Sequence, residues 1–198
     1  MMPLGVLASA RVAPSGGPTT ITDTFTRADS TTTLGSTETG QAWQVIAGTA
    51  GILSGQARGY TNLCDVVVDF GTPNMAVSVD YVVPAPYLRI FAHYVDSSNY
   101  YGLLMQSSGL APRLYRLYGG VEASLTPSTT VAAGDRITME AFETGSGTRL
   151  RVLRNGVEVF LITDTSAGRP LGTKCGMRLS ATGQTARWDN FETTEVTA

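Results

Sequence analysis

Arg187-Trp188-Asp189-Asn190-Phe191, a run close to the C-terminus, sets an indole, an acid, an amide and a phenyl ring in succession. A strand of that composition does not lie flat on a surface, because its rings need burial and its Asp needs partners. It reads as a closing strand. Near the other end, Asp23-Thr24-Phe25-Thr26-Arg27 repeats the order of acid then aromatic. The expectation is that the two ends meet and close one β-sandwich. Trp188 or Phe191 would then lie in the core.

Between these ends the chain reads as strands and turns. In Leu63 to Phe70, Cys64, Val66, Val68 and Phe70 share one parity against Asp65 and Asp69. In Met75 to Val83, Met75, Val77, Val79 and Tyr81 oppose Ala76, Ser78 and Asp80. Each strand therefore buries one face. Tyr87 to Val95 and Tyr100 to Gln106 form a hairpin about Asp96-Ser97-Ser98-Asn99. Further strands are expected at Arg113–Tyr118, Val121–Leu125, Arg136–Phe142, Arg149–Arg154, Val157–Ile162, Cys175–Ala181 and Thr185–Phe191. Asn155-Gly156 is the strongest hairpin signal, since a type I′ turn needs positive φ at both central positions. About a dozen short strands at regular spacing predict an all-β, antiparallel two-sheet sandwich.

Composition agrees. The 198 residues suit one all-β domain, 42% are hydrophobic, and only 15% are charged against the usual quarter or so. The 14 basic and 16 acidic residues give a net charge of −2. No Lys/Arg cluster could track phosphates, which argues against nucleic acid as a partner. No run of about 18 apolar residues appears, so no membrane-spanning helix is expected. Cys64 and Cys175 both fall in strand-like runs; buried free thiols are the expectation, with a disulfide the alternative. Residues 1–18 read as a flexible, retained N-terminal arm, tethered by Pro14-Ser15-Gly16-Gly17-Pro18. It lacks the basic n-region and long apolar run of a signal peptide. The sandwich is expected over residues 19–193, with 194–198 a C-terminal tail.

The most informative strand is Tyr87 to Val95. Leu88, Ile90 and Ala92 point one way and Tyr87, Arg89, Phe91 and His93 the other. With Tyr100, Arg113 and Tyr115 on nearby strands, that face offers rings for stacking on sugar C–H groups and planar hydrogen-bonding side chains. Packing of the same aromatics under a loop or against a neighbouring subunit is the competing account. His93 is the lone histidine and no nucleophile-elbow motif accompanies it, so a stacking, hydrogen-bonding or plain surface role is expected over catalysis. One His and two distant Cys make a poor zinc set.

Asp23-Thr24-Phe25-Thr26-Arg27-Ala28-Asp29, Gly40 with Trp43, and Asp96-Ser97-Ser98-Asn99-Tyr100-Tyr101 are followed by Gly134-Asp135-Arg136-Ile137, Arg154-Asn155-Gly156, Cys175-Gly176-Met177 and Trp188-Asp189-Asn190-Phe191. In that order they resemble the concanavalin A-like lectin/glucanase jelly roll, in its laminin-G-like branch, from Thr19 to Thr193, and the resemblance implies that Trp188 lies opposite the Asp23/Phe25 strand. Glucanases of that superfamily carry acids in the pattern Glu-x-Asp-x-x-Glu, because retaining chemistry needs two carboxyls about 5 Å apart. Glu140 and Glu143 come nearest, but they differ in parity and lack the intervening Asp, so they read as surface carboxylates. The resemblance therefore implies a protein that is not an enzyme and requires no cofactor. It also implies a structural Ca²⁺ near the terminal strands, for which Asp23 and Asp189 are the candidates and Asn190 a lesser one. The alternative is that these carboxylates accept from loop N–H groups or pair with Arg27 or Arg187.

Through its tethered arm, small size and Thr/Gly-rich texture, the chain further resembles minor tail and other virion proteins of tailed bacteriophages. That resemblance implies a non-enzymatic virion protein, on the tail or particle surface, that displays a lectin-like domain. Its expected partners are other virion proteins through the arm, further copies of itself, and host cell-surface carbohydrate. A free carbohydrate-binding module is the alternative, and a glycoside hydrolase is the third reading.

Overall fold

A computed structural model describes residues 19–83, 87–105, 112–125, 130–179 and 187–197, and among them every regular element is a β-strand. One sheet has eight strands. Its order is β13 (Val157–Asp164), β12 (Gly147–Arg154), β11 (Arg136–Thr144), β6 (Met75–Val83), β15 (Arg187–Glu195), β4 (Gln56–Gly59) and β3 (Ala50–Leu53), with β1 (Thr20–Asp23) also pairing with β15. The other has seven, in the order β10 (Val121–Ser124), β9 (Arg113–Tyr118), β8 (Asn99–Met105), β7 (Leu88–Asp96), β14 (Lys174–Leu179), β5 (Cys64–Asp69) and β2 (Gln44–Ala47). The pairings are antiparallel, and many neighbours in the sheets are distant in sequence. This is a jelly-roll sandwich. Among the described residues no helix is long and apolar enough to cross a membrane.

The period-2 alternation places the core. Cys64, Val66 and Val68 of β5, Leu88, Ile90 and Ala92 of β7, and Tyr101, Leu103 and Met105 of β8 face Met75, Val77, Val79 and Tyr81 of β6 in one continuous apolar cluster. Asn155 and Gly156 form the two-residue turn between β12 and β13, with φ of 51° and 78°. The turn is braced from outside. Asn155 Oδ1 accepts from the Arg136 amide at 2.9 Å, and its Nδ2 donates to Asp135 at 2.8 Å.

The two ends of the domain do meet. β1 pairs with β15, placing Asp23 opposite Phe191, while Trp188 lies opposite Ala57 and Tyr81. Trp188 is fully buried, 5.3 Å from the Tyr81 ring, and its Nε1 donates to the Arg178 carbonyl at 3.1 Å. Phe191 and Trp43 meet edge to face at 4.8 Å. The expected pairing of Trp188 with the Asp23/Phe25 strand is thus displaced by three residues. β15 also runs past Thr193: Thr194 and Glu195 continue the ladder and Val196 donates to the Asn74 carbonyl at 3.2 Å, so the sandwich takes in part of the expected tail. The arm, residues 1–18, lies outside the described residues.

Both cysteines are buried and free. Cys175 pairs with Val68, and Cys64 with Leu179, so four residues of strand, about 13 Å, separate them. That exceeds the roughly 7 Å that a disulfide can span.

Candidate ligand-binding site

The outer face of the seven-stranded sheet brings together most of the residues that the sequence singled out. Register alignment sets Phe91 opposite Gly102, and Gly102 opposite Tyr115; one row along, Arg178, Arg89, Leu104 and Arg113 follow one another across four strands. Arg89, Phe91, Tyr100, Arg113 and Tyr115 therefore share a face. What they do there differs from the expectation. Phe91, Tyr100 and Tyr115 are buried with Val67, Tyr94 and Leu104 in a second apolar cluster outside the main core. Gly102 explains part of this. A Cβ there would lie 2.4 Å from the Tyr115 ring, so the ring occupies space that only Gly leaves open. Phe91 meets Tyr100 edge to face at 4.9 Å, and Tyr94 stacks on Tyr100 at 5.6 Å with the planes 17° apart. Burial raises the Tyr115 hydroxyl well above the usual phenol range and that of Tyr94 to about 12. Three of the rings assigned to a glycan face are thus packing and cannot stack on a sugar.

His93 leaves the face altogether. The β7–β8 register slips between Ala92 and Asp96, and His93 sits in the bulge at φ 48°. The slip exchanges two side chains: Tyr94 turns out to the aromatic cluster, and His93 is buried edge-on to Tyr101. Its Nδ1 lies 3.1 Å from the Pro170 carbonyl and its Nε2 against that of Pro73, and burial lowers its basicity. His93 ties two loops together and is not part of a binding surface.

Tyr87 and Arg89 do line a cleft. Tyr87, immediately before β7 with φ 71°, is 55% exposed. Beside it Asn62 and Leu63, Arg89 and Arg178 line an open cleft of about 310 Å³. Arg89 Nη1 donates to the Tyr100 hydroxyl at 3.1 Å, with the guanidinium 5.3 Å from the Tyr115 ring centroid. Arg178 grips Asp65 through Nε and Nη2 at 2.5 and 2.6 Å. Burial alone would disfavour its charge, but the Asp65 fork outweighs this and holds the guanidinium above its ordinary value. Arg113 is engaged by Glu122 and lies over Tyr115, away from the cleft. Asn62, Leu63 and Arg178 escaped the sequence reading. Arg178 could have been found, since it alternates with the inward Cys175, Met177 and Leu179. Leu63 could not, because β5 begins one residue later than expected and leaves it 48% exposed.

The calcium assignment fails on geometry at Asp23. That carboxylate is fully buried and accepts four donors: the Phe25 amide and Arg27 Nη1 on Oδ1, Arg27 Nη2 and Trp43 Nε1 on Oδ2, all at 2.7 to 2.8 Å. Four donors fill the lone-pair positions of a carboxylate. Pairing with Arg27 and a loop N–H, the alternative to calcium, is the arrangement found. Asp189 accepts from the Asn190 amide at 2.8 Å, and burial, then Asp80 and Asp23, raise its pKa. Among the described residues no three His, Cys, Asp or Glu side chains gather as a metal set. Glu140, expected at the surface, is covered and held by Arg151 through both oxygens at 2.7 Å. Glu143 is taken up by Thr148 and Arg169.

No protein-family model and no curated protein matches the sequence. Solved structures match its fold. The carbohydrate-binding module CBM66 of Bacillus subtilis superposes with a TM-score of 0.52 at 12% identity, covering 78% of this chain and 92% of that one. An endo-1,3-beta-glucanase of Streptomyces sioyaensis gives 0.53 at 15% identity, covering 95% of this chain and all of the other. A GH43 protein of Bacillus licheniformis gives 0.57 at 16% identity over 88% of this chain, which spans only 39% of its length. The chain thus has the concanavalin A-like sandwich fold common to these proteins.

Proposed function

We propose that this sandwich is a non-catalytic carbohydrate-binding domain whose ligand lies in the cleft of Tyr87, Asn62, Arg89 and Arg178. The observation that carries it is the exposed Tyr87 ring, set beside an amide and two guanidiniums in a concave site, the combination that sugars require. The module and the glucanase of the same fold support a saccharide as the ligand class. Asp65, the carboxylate beside the cleft, is engaged by Arg178 through both oxygens, which supports binding over acid–base chemistry. A glycan array read with the wild type and Tyr87→Ala tests this: the variant should lose its signals while melting like the parent. Retained binding in the variant would remove the cleft from consideration, and incubation with β-glucans that releases new reducing ends would overturn the non-catalytic reading.

The resemblance to tail proteins supplies a setting, in which residues 1–18 hold the domain on a virion and the cleft meets a host glycan. Deleting those residues should abolish incorporation into particles without unfolding the sandwich; unchanged incorporation rejects the setting and leaves the cleft as it is.

A further inference from the structure

We infer that the saccharide taken by this cleft carries a carboxylate, as a uronic acid does, and that Arg89 receives it. The inference rests on the carbohydrate-binding role proposed for the cleft and adds the class of sugar. Its basis is one row of side chains across the seven-stranded sheet. Asp65, Arg178, Arg89, Leu104 and Arg113 are cross-strand neighbours in that order, each directly opposite the next. Like charges set directly opposite one another destabilise a sheet unless compensated. Arg178 has Asp65, and Arg113 has Glu122. Arg89, between them, meets the Tyr100 hydroxyl and the Tyr115 ring but no carboxylate among the described residues. The row thus carries one unbalanced positive charge at its centre, on the wall of the cleft.

An anion completes that row. A planar carboxylate matches a guanidinium fork, and Asp65 on Arg178 shows the arrangement one strand away. Tyr87, at the same cleft, would take the sugar ring that bears the carboxylate.

The test is an array of oligogalacturonate, alginate and glucuronoxylan oligosaccharides, each beside its methyl-esterified or neutral counterpart, together with sulfated galactans. Uronate spots should be bound about tenfold or more above their uncharged counterparts and weaken as salt rises to about 0.5 M. Arg89→Gln should erase that preference, and Arg89→Lys should keep part of it, with thermal melting confirming that both are folded. Equal binding of esterified and free forms overturns the carboxylate inference and leaves the carbohydrate reading standing. Sulfated spots bound in place of uronates overturn it too. An array with no bound spot removes both.

Discussion

The Tyr101 hydroxyl donates to Asp164 Oδ2 at 2.8 Å, joining β8 of the seven-stranded sheet to the end of β13 in the eight-stranded one. Arg116 Nη1 reaches both oxygens of the same carboxylate at 2.8 Å, and the Ser166 amide adds a bond at 3.0 Å. Burial alone would raise the Asp164 pKa, but Arg116 and the other donors outweigh it and hold the group below the ordinary carboxylate value. A carboxyl depressed on folding stabilises above its unfolded pKa, and the contribution is lost as pH falls through the folded value. Asp164→Asn should therefore cost about 3 kcal/mol at neutral pH, by urea denaturation, and the gap should narrow steadily below about pH 4. An equal gap at pH 7 and pH 3 would show that the charge has no part in joining the sheets.

Tyr115 and Gly102 form a matched pair across β8 and β9. Gly102→Ala puts a methyl group into the Tyr115 ring and should destabilise by about 1 to 3 kcal/mol. In a chain that also carries Tyr115→Leu the alanine should cost clearly less, a coupling that a double-mutant cycle measures. Additive losses would contradict the contact.

Trp188 fills the seam between the terminal strands and β6, fully buried. Trp188→Ala removes the indole and its hydrogen bond to the Arg178 carbonyl, so chemical denaturation should show a loss of about 3 to 5 kcal/mol. Full stability in this variant would refute its placement.

Cys64 and Cys175 are both buried, and burial pushes each thiol up to about 12. A thiol-specific reagent at pH 8 should label neither in the native protein and both in denaturant, because the thiolate is the reactive form. Rapid labelling of the folded chain would contradict this.

The alternation in Cys64 to Phe70, Met75 to Val83 and Leu88 to Ala92 was legible in the sequence because a strand with one buried face writes its period of two directly into residue type. The Asn155-Gly156 turn was legible for a similarly local reason, its need for positive φ. Trp188 and Phe191 announced burial by their size alone. Arg89, Phe91, Tyr100, Arg113 and Tyr115 do share a face, since parity holds in β7 as far as Ala92 and through the paired parts of β8 and β9.

Parity could not say which of those side chains solvent reaches. Phe91, Tyr100 and Tyr115 on the outer face pack on one another, with Tyr115 over Gly102, contacts between strands that no single strand records. The bulge after Ala92 exchanged His93 for Tyr94, and a register slip depends on both partners of a ladder. Asp23 went to Arg27 and Trp43 through contacts that depend on how the loop folds back. For Arg187 to Phe191, the sequence by itself determined that the run would be a closing strand with a large ring in the core, because ring size is a local property; that Trp188 and Phe191, three residues apart, are both buried depends on the register slip after Asp189, with Asn190 at φ 47°. Only the tertiary structure decided that Phe191 faces Asp23, that Trp188 faces Tyr81, and that Arg178, whose carbonyl Trp188 caps, stands beside Arg89 at the cleft. Register across a sheet is set by pairing between distant strands, and it is register that assembles the cleft.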